Sequence, residues 1–378
     1  MSRCRSCSGE LTAEPLLSYP NSPQSAQSFI KNLKRTADKS VTLKIFQCSS
    51  CGLVQHDLKP VSYYKKVIRA VSFSNEMSEF RIEQLGEWVA KYVLKEKKIL
   101  EVGSGRGEYL NLFKQVGVRN IFGLEFDKNN ALAIAKENNV ATCGYLDNKL
   151  DGIIGAPFDA FAIFSFMEHW PKPKSSLDIL KKHLSPNALG LIEVPNFEMI
   201  KHKGLYTEFT VDHIFYYDAK TLANFLNANG FEVLDMKNIW NDYIISAEVV
   251  RRPPLNVSVF EEKFSDISEQ VNNYLDSKVG TKRIIWGAGH QALTVISLTK
   301  INRKINYIVD SATFKQNKYT PESHLMIHGP EYLDADRPET MLIMAAGFSD
   351  EIFKIINKKY PFIKNVAILR EDKIELVK

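Results

Sequence analysis

No stretch of this 378-residue chain is apolar for anything near the roughly 20 residues that a membrane-spanning helix needs. Its opening residues, MSRCRSCSGE, hold no hydrophobic leader region either. Neither a membrane span nor export is expected, and a cytoplasmic location is. Charge of neither sign dominates: 49 Lys and Arg against 44 Asp and Glu leave a net +5, without an extended basic tract. That balance does not indicate nucleic acid or a membrane surface as partner, and it suits a small, anionic molecule. Internal repeats and low-complexity segments are absent, which excludes solenoid arrays and biased tails. Cysteine is scarce, at 5 residues, far below the density of a disulfide-stapled scaffold. What is left, at 44% hydrophobic and 25% charged residues, is a globular chain long enough for about two or three domains.

Four of the five cysteines nevertheless stand as two Cys-x-x-Cys pairs, Cys4 with Cys7 and Cys48 with Cys51. At this spacing, backbone N–H groups turn toward the thiolates, and two such knuckles close a tetrahedral four-cysteine zinc site. With no coordination position open, that site is structural. Two disulfides or a redox pair are the rivals. They are disfavoured because no leader precedes Cys4 and no strand-then-helix pattern surrounds either pair. The long gap between the pairs requires a looped-out insertion, and NSPQSAQS, Asn21 to Ser28, has the turn-forming composition for it. Cys143, standing alone, reads as a buried small hydrophobe.

From Ser74 to Leu94 apolar residues recur at three and four, the mark of an amphipathic helix. Short apolar runs (NIFGLEF, FDAFAIFSF, LGLIEVP) then alternate with helical stretches (NNALAIAKENN, SSLDILKKHL, AKTLANFLNANG) as far as Val250. This alternation implies βαβ units and a mostly parallel sheet in an α/β protein. RRPP, Arg251 to Pro254, marks a boundary, since two prolines cannot continue a central strand. A helical stretch from Val259 to Leu275 follows, then a second βα series: RIIWGAGHQALTVI, INYIVD, TMLIMAAG and NVAIL.

The first βα turn carries the chemistry. ILEVGSGRGEY puts Glu101 at a strand end and Gly103, Gly105 and Gly107 in the turn that opens a helix, where glycine permits positive φ and close backbone approach to a ligand. The spacing is G-x-G-x-G, whereas a dinucleotide fingerprint reads G-x-G-x-x-G. A carboxylate such as Glu101 would repel a pyrophosphate. It favours S-adenosylmethionine (SAM), which carries an ammonium and a sulfonium and no phosphate. Glu125 ends the next strand and can accept from both ribose hydroxyls. Asp147, in GYLDN after a third strand, is a candidate for the adenine edge.

This region resembles the class I SAM-dependent methyltransferases, and FMEHWPKPKSSLDILKKHLSPNALGLIEVPN, with Glu168 and His169, is similar to their post-strand segment. The whole chain resembles the sugar C-methyltransferase family of deoxysugar biosynthesis. The stretches that carry the likeness are CRSC, CSSCGLVQ, LEVGSGRG, IEVPN, DHIFYYDAKTLANFL and VDSATFKQNKYTPESHLMI. The resemblance implies a zinc-binding N-terminal domain over 1–73, a class I methyltransferase domain over 74–254 and a Rossmann-like C-terminal domain over 255–378. It departs from the family at the chemistry: the family's Tyr-His-Glu-His reads Thr210-Val211-Asp212-His213, and its Trp-Asn in the last domain reads Ala346-Gly347.

Methyl transfer requires proton removal from the acceptor, and His213 titrates in the right range for that work. Asp212 or Glu208 could orient its ring, and His169 could be a second base. Tyr63, Tyr64 and Tyr206 are candidate walls of the acceptor pocket. The expectation is a SAM-dependent methyltransferase acting by C- or O-methylation on a nucleotide-linked or activated sugar, in deoxysugar or surface-glycan biosynthesis. Gly287, Gly289 and Asp310 of the last domain keep open an NAD-assisted epimerase or oxidoreductase. The Thr210 departure keeps open a zinc-stabilised sugar-nucleotide binding protein without catalysis.

Overall fold

A computed structural model describes residues 3–26, 40–66 and 74–378, and these divide into two compact units, Met1–Pro253 and Pro254–Lys378. The break falls within RRPP. The described residues of 1–73 and residues 74–253, expected as separate domains, fall together in the first unit.

The first unit opens with three antiparallel strands, β1 (Leu17–Pro23), β2 (Ser40–Gln47) and β3 (Val54–His56). Asn21–Pro23, expected to begin a looped-out insertion, therefore lie in a strand, and Gln27 and Ser28 fall outside the described residues. Helix α1 (Asn75–Lys91) follows, capped by Ser74, whose hydroxyl accepts from Met77 N–H at 3.1 Å. Its buried positions Arg81, Gln84, Leu85, Trp88 and Val89 follow the helical repeat.

Next comes the alternating core: β4 (Lys98–Val102), α2 (Glu108–Gln115), β5 (Asn120–Glu125), α3 (Lys128–Lys136), β6 (Val140–Cys143), β7 (Phe158–Phe164), α4 (Pro173–Lys182), β8 (Leu184–Pro195), α5 (Phe197–Lys203), β9 (Phe215–Tyr216), α6 (Ala219–Ala228), β10 (Phe231–Ile239) and β11 (Ile244–Arg251). Seven strands form one sheet in the order β10-β11-β8-β7-β4-β5-β6. Strands β6, β5, β4, β7 and β8 pair in parallel, and β11 runs antiparallel to both neighbours. The order reverses beside β4, so the carboxyl ends of β4, β5 and β7 open onto the switch point where such sheets hold ligands. The central strands are mostly apolar because helices cover both faces. Phe158, Phe161, Ile163, Leu100 and Ile192 are fully buried on one side and Ile99, Ala160, Ala162 and Phe164 on the other.

Strand β9 leaves the order of the chain and pairs with β3, making the small sheet β1-β2-β3-β9. The segment just before β9, Thr210–Ile214, is thus fixed to the cysteine-bearing region.

The second unit is another βα series. It runs α7 (Ser258–Asp276), β12 (Arg283–Trp286), α8 (His290–Thr299), β13 (Tyr307–Val309), β14 (Lys318–Tyr319), β15 (Met326–His328), α9 (Tyr332–Asp336), β16 (Thr340–Ile343), α10 (Ser349–Lys359), β17 (Asn365–Leu369) and β18 (Ile374–Leu376). Its sheet order is β14-β15-β13-β12-β16-β17-β18, with antiparallel strands at the two edges only. No helix among the described residues is long and apolar enough to cross a membrane.

Candidate active site

A cavity of about 960 Å³ lies at the carboxyl ends of β4, β5, β7 and β8. The turn after β4 forms one wall. Gly103, Gly105 and Gly107 all have positive φ, at 78°, 58° and 95°, and the first two line the cavity. A Cβ at Gly103 would stand 2.7 Å from the ring of Phe166, while one at Gly105 would meet only Glu108, at 3.4 Å. Gly103 is therefore needed for packing, and Gly105 presents bare backbone. Gly107 caps α2 and faces Ile134, away from the cavity.

Glu125 lies at the end of β5 and lines the same wall. Its carboxylate accepts from Gly105 N–H at 2.9 Å and from Asp127 N–H at 2.8 Å, bridging the glycine turn to its own turn. Burial raises its pKa, against those N–H donors. Glu101 is fully buried within β4, beneath the turn and outside the cavity lining. Asp147 is not in the lining either. Its carboxylate pairs with Lys65 Nζ at 2.5 Å and accepts from Lys149 N–H at 2.9 Å. Gly144, Tyr145 and Leu146 face the cavity at that level instead.

At the other end, His169, Asp212 and His213 come together, although 43 residues separate His169 from Asp212. His169 follows β7 on the turn Met167–His169, and its Nδ1 lies 2.8 Å from the backbone oxygen of Asp212. The imidazoles of His169 and His213 meet edge to face, centroids 4.9 Å apart. Burial pushes both pKa values down, to about 4 for His169 and about 3 for His213, and His169 lowers His213 further, while Asp212 raises it. Both rings are neutral at physiological pH. Asp212 accepts from the Tyr63 hydroxyl at 2.5 Å through one carboxylate oxygen, and the other is buried without a hydrogen bond among the described residues. Glu208, the alternative orienting group, accepts from Tyr243 at 2.8 Å. Of the tyrosines expected as walls, Tyr63 reaches the cluster through Asp212, Tyr64 packs on Tyr145, and Tyr206 is 68% exposed.

Several lining residues escaped the sequence reading. Arg81 projects from α1 into a buried ion pair with Glu193 at 2.7 Å, supported by Gln84, and its guanidinium lies over Tyr109 and Phe164. A cation on the apolar stripe of an amphipathic helix was a visible anomaly. Trp240 and Tyr243 hang from the β10–β11 turn, in which Trp240, Asn241 and Asp242 all have positive φ. Ser165, at the end of β7, lines the cavity with φ 45°, a strained value for a residue with a side chain.

The four paired cysteines form a second cluster, with their sulfurs within 4.8 Å of one another. Cys4 Sγ lies 3.8 Å from Cys51 Sγ and Cys7 Sγ 3.5 Å from Cys48 Sγ, against about 3.8 Å along the edge of a tetrahedron with metal–sulfur bonds near 2.3 Å. No disulfide links them. Ser6, Gly9 and Cys51 N–H donate to sulfur at 3.4–3.5 Å, and Gln55 Nε2 donates to Cys4 at 3.0 Å. Burial opposes ionisation of Cys48, but the N–H groups of Cys51 and Ser50, with hydrogen bonds from the side chains of Cys7 and Cys51, outweigh it and bring its pKa down to about 7. Burial raises Cys4 and Cys51. The donor set fits a closed zinc site. Cys143, expected to be buried, is exposed, its Sγ 3.6 Å from the backbone oxygen of Phe126.

In the second unit Asp310 accepts from Ala288 N–H at 2.7 Å, Ala312 N–H at 2.8 Å and Lys315 Nζ at 2.9 Å. Gly287, φ 120°, packs a Cβ-sized space from the backbone of Met344, and Gly289 caps α8. The turn is built like that of the first unit, with its acid already tied to a lysine.

Comparison with known proteins is consistent with this geometry. Residues 77–236 match the family described as a methyltransferase domain, and residues 254–362 match the C-methyltransferase C-terminal domain. The C-methyltransferase NovU of Streptomyces niveus is 22% identical over 299 residues, covering 71% of this chain and 70% of that protein. Among solved structures, magnesium protoporphyrin IX methyltransferase of Synechocystis PCC 6803 aligns with TM-score 0.37 at 13% identity, over 50% of this chain and 91% of its own. The PH0226 protein of Pyrococcus horikoshii OT3 aligns with TM-score 0.40 at 13% identity, over 50% of this chain and 98% of its own. With the two family matches spanning most of its length and the glycine turn and strand order in place, the chain belongs to the class I SAM-dependent methyltransferases, in the family that carries the C-methyltransferase C-terminal domain.

Proposed function

We propose that this protein methylates a carbon beside the carbonyl of an activated, nucleotide-linked sugar. One observation carries the reading: a single cavity joins the glycine turn to the cluster of Asp212, His169 and His213. Bound SAM supplies an electrophilic methyl group. The residues fit it, because Gly105 leaves the backbone bare and Glu125 offers a carboxylate for ribose hydroxyls. Holding donor and acceptor in one enclosed site removes much of the entropic barrier. His213, half-buried, and Asp212, with one oxygen uncommitted among the described residues, are the groups placed to take the acceptor's proton. The four cysteines hold a structural zinc, and the chain acts in the cytoplasm.

Transfer to carbon is supported by the C-methyltransferase C-terminal domain and by the name of the relative. Transfer to a hydroxyl is the second reading, favoured by Thr210: a carbon acid needs a stronger and better-placed base than a hydroxyl does, and the family's phenol is missing there. Thermal-shift screening with SAM, NAD and sugar nucleotides separates these from the NAD-assisted and non-catalytic alternatives, since a bound ligand raises apparent stability. Product made in D2O then decides the atom. Deuterium exchange beside the carbonyl with a C-bound methyl supports the proposal, and a methoxy signal without exchange overturns it in favour of O-methylation.

A further inference from the structure

We propose that Trp240 is the residue that selects the acceptor, its indole face carrying the ring of the sugar that is methylated. The inference rests on reading the acceptor as a nucleotide-linked sugar, and it adds the surface that recognises that sugar. Trp240 and Tyr243 line the cavity together with Pro195, Thr210 and Asp212. Neither aromatic residue has a part in the fit to SAM or in the removal of the proton.

The backbone that presents Trp240 is the telling feature. Strand pairing ends at Ile239 and Ile244, so residues 240–243 form a four-residue turn between β10 and β11. Loops of that length are most often built around a type I turn, whose central residues keep φ negative. Here Trp240, Asn241 and Asp242 have φ of 51°, 54° and 64°. Asparagine and aspartate tolerate this left-handed region, whereas a bulky side chain is an outlier in it, so the strain falls on the tryptophan. Strain of this kind persists where the surroundings enforce it, and it gathers at ligand clamps. The enforcement is visible. Tyr243 N–H donates to Trp240 O at 3.1 Å, closing the turn. From the end of β8, Asn196 donates its N–H to Tyr243 O and its Nδ2 to Asp242 O, each at 2.8 Å, and Asn196 is itself buried.

What the strain secures is an indole set at a fixed place on the cavity wall. Its ring partner among the described residues is Phe80 of α1, with centroids 5.3 Å apart, and Phe80 lies in turn under the Arg81 guanidinium at 5.5 Å. The indole is thus braced before any ligand arrives, which spares the ordering cost at binding. The face of an aromatic ring is negative. The C–H hydrogens of a sugar ring are made positive by the oxygens on the same carbons, and its hydroxyls point mostly to the ring edge. A pyranose lying on the indole meets the ring with its C–H face and leaves its hydroxyls to partners at the rim. Tyr243 is such a partner. Its hydroxyl donates to Glu208 at 2.8 Å, so its oxygen keeps a lone pair for a sugar O–H. Glu208 stands two residues before Thr210, which ties this rim group to the segment that carries Asp212 and His213.

The test uses the full chain saturated with S-adenosylhomocysteine, so that nothing turns over, and titrates UDP-glucose, dTDP-glucose and GDP-mannose by calorimetry, with free UDP, dTDP and GDP as controls. The tightest-binding sugar nucleotide is then carried through three variants. Trp240→Ala should weaken it by at least about tenfold while SAM affinity stays within a few fold, and Trp240→Phe, which keeps a ring on the wall, should recover most of the loss. Binding of the free nucleotide should be unchanged in all three. Trp240→Gly removes both the indole and the left-handed strain, so its midpoint in urea should be no lower than that of the wild type, although it binds the sugar nucleotide as poorly as Trp240→Ala. Unchanged affinity in Trp240→Ala overturns the inference and leaves the sugar reading standing. So does an equal loss for the free nucleotide, which would place the indole under the base, and so does a lower urea midpoint in Trp240→Gly, which would make the indole a packing residue. A wild type that binds SAM and none of the sugar nucleotides defeats the sugar reading itself, and the inference falls with it.

Discussion

The hydroxyl of Tyr63 stands 2.5 Å from one carboxylate oxygen of Asp212, joining the segment after the cysteine pairs to the heart of the cavity. The other oxygen of Asp212 is buried with no hydrogen bond among the described residues, so there the phenol is the group that keeps this carboxylate tolerable. Removing a donor to a buried charge costs about 1.5–3 kcal/mol. Tyr63→Phe should lower stability by about that amount in denaturant titrations. It should cut kcat by about 10- to 100-fold while SAM affinity by calorimetry stays within a few fold. An equal loss in SAM affinity would mean that Tyr63 only packs the fold.

The cysteine cluster should matter to chemistry at a distance. Cys48 is followed by β3, β3 pairs with β9, and β9 begins two residues after His213. Thiolate binding and local folding are coupled. Cys48→Ser, or chelation, should take zinc from one per chain to near zero and disorder β1, β2 and β3. Turnover should fall by at least about 100-fold, while SAM binding, which rests on β4 and β5, persists. Elemental analysis and calorimetry on the same sample check both halves, and a wild type without zinc defeats the assignment.

Two glycines in one turn should respond differently. At Gly103 the side chain of alanine would collide with Phe166 in a positive-φ position, so Gly103→Ala should destabilise the unit by about 2–4 kcal/mol. At Gly105 the space is open, and only the φ of 58° and the cavity stand in the way. Gly105→Val should therefore cost about 1–3 kcal/mol of stability but abolish detectable SAM binding. Undiminished SAM affinity in that variant would remove the glycine turn from the cofactor site.

Residues with a local signature were legible in the sequence. The glycine turn, Glu125 at the next strand end and the Cys-x-x-Cys pairs each occupy adjacent positions whose spacing expresses their chemistry. The αβ alternation gave the sheet because central strands buried on both faces are mostly apolar. Asp147 lies outside the cavity lining, and its pairing was not readable, since an acid after the third strand looks the same whether it meets a ligand or Lys65, 82 residues away. Arg81 and Trp240 were missed because one pairs with Glu193 across 112 residues and the other depends on a turn of three positive φ values. The strand exchange of β9 has no sequence signal, as two residues are too few to show periodicity.

The final prediction concerns His56, which holds the segment bearing Asp212 from behind. Its N–H donates to Ile214 O at 3.2 Å and its ring Nε2 to Val211 O at 3.2 Å. Because that carbonyl can only accept, Nε2 carries the proton, and Nδ1 is left buried without a partner. Protonating Nδ1 would bury a charge with nothing to meet it. Burial first, and then the nearby Arg5, push the pKa down from 6.5 to about 4. The unfolded chain thus binds the proton more readily than the folded one. The stability that neutral His56 contributes is fully present above about pH 6.5 and is lost as pH falls toward 4. Over that window the loss amounts to about 3 kcal/mol. His169 and His213 act in the same direction, so the comparison must be with a variant. His56→Gln retains an amide N–H to reach Val211 and cannot titrate. Its unfolding free energy should therefore fall less steeply than that of the wild type between pH 6.5 and 4, by up to about 1.4 kcal/mol per pH unit. Parallel profiles across that range would show that His56 does not titrate with folding, and that the buried imidazole is protonated in the native state.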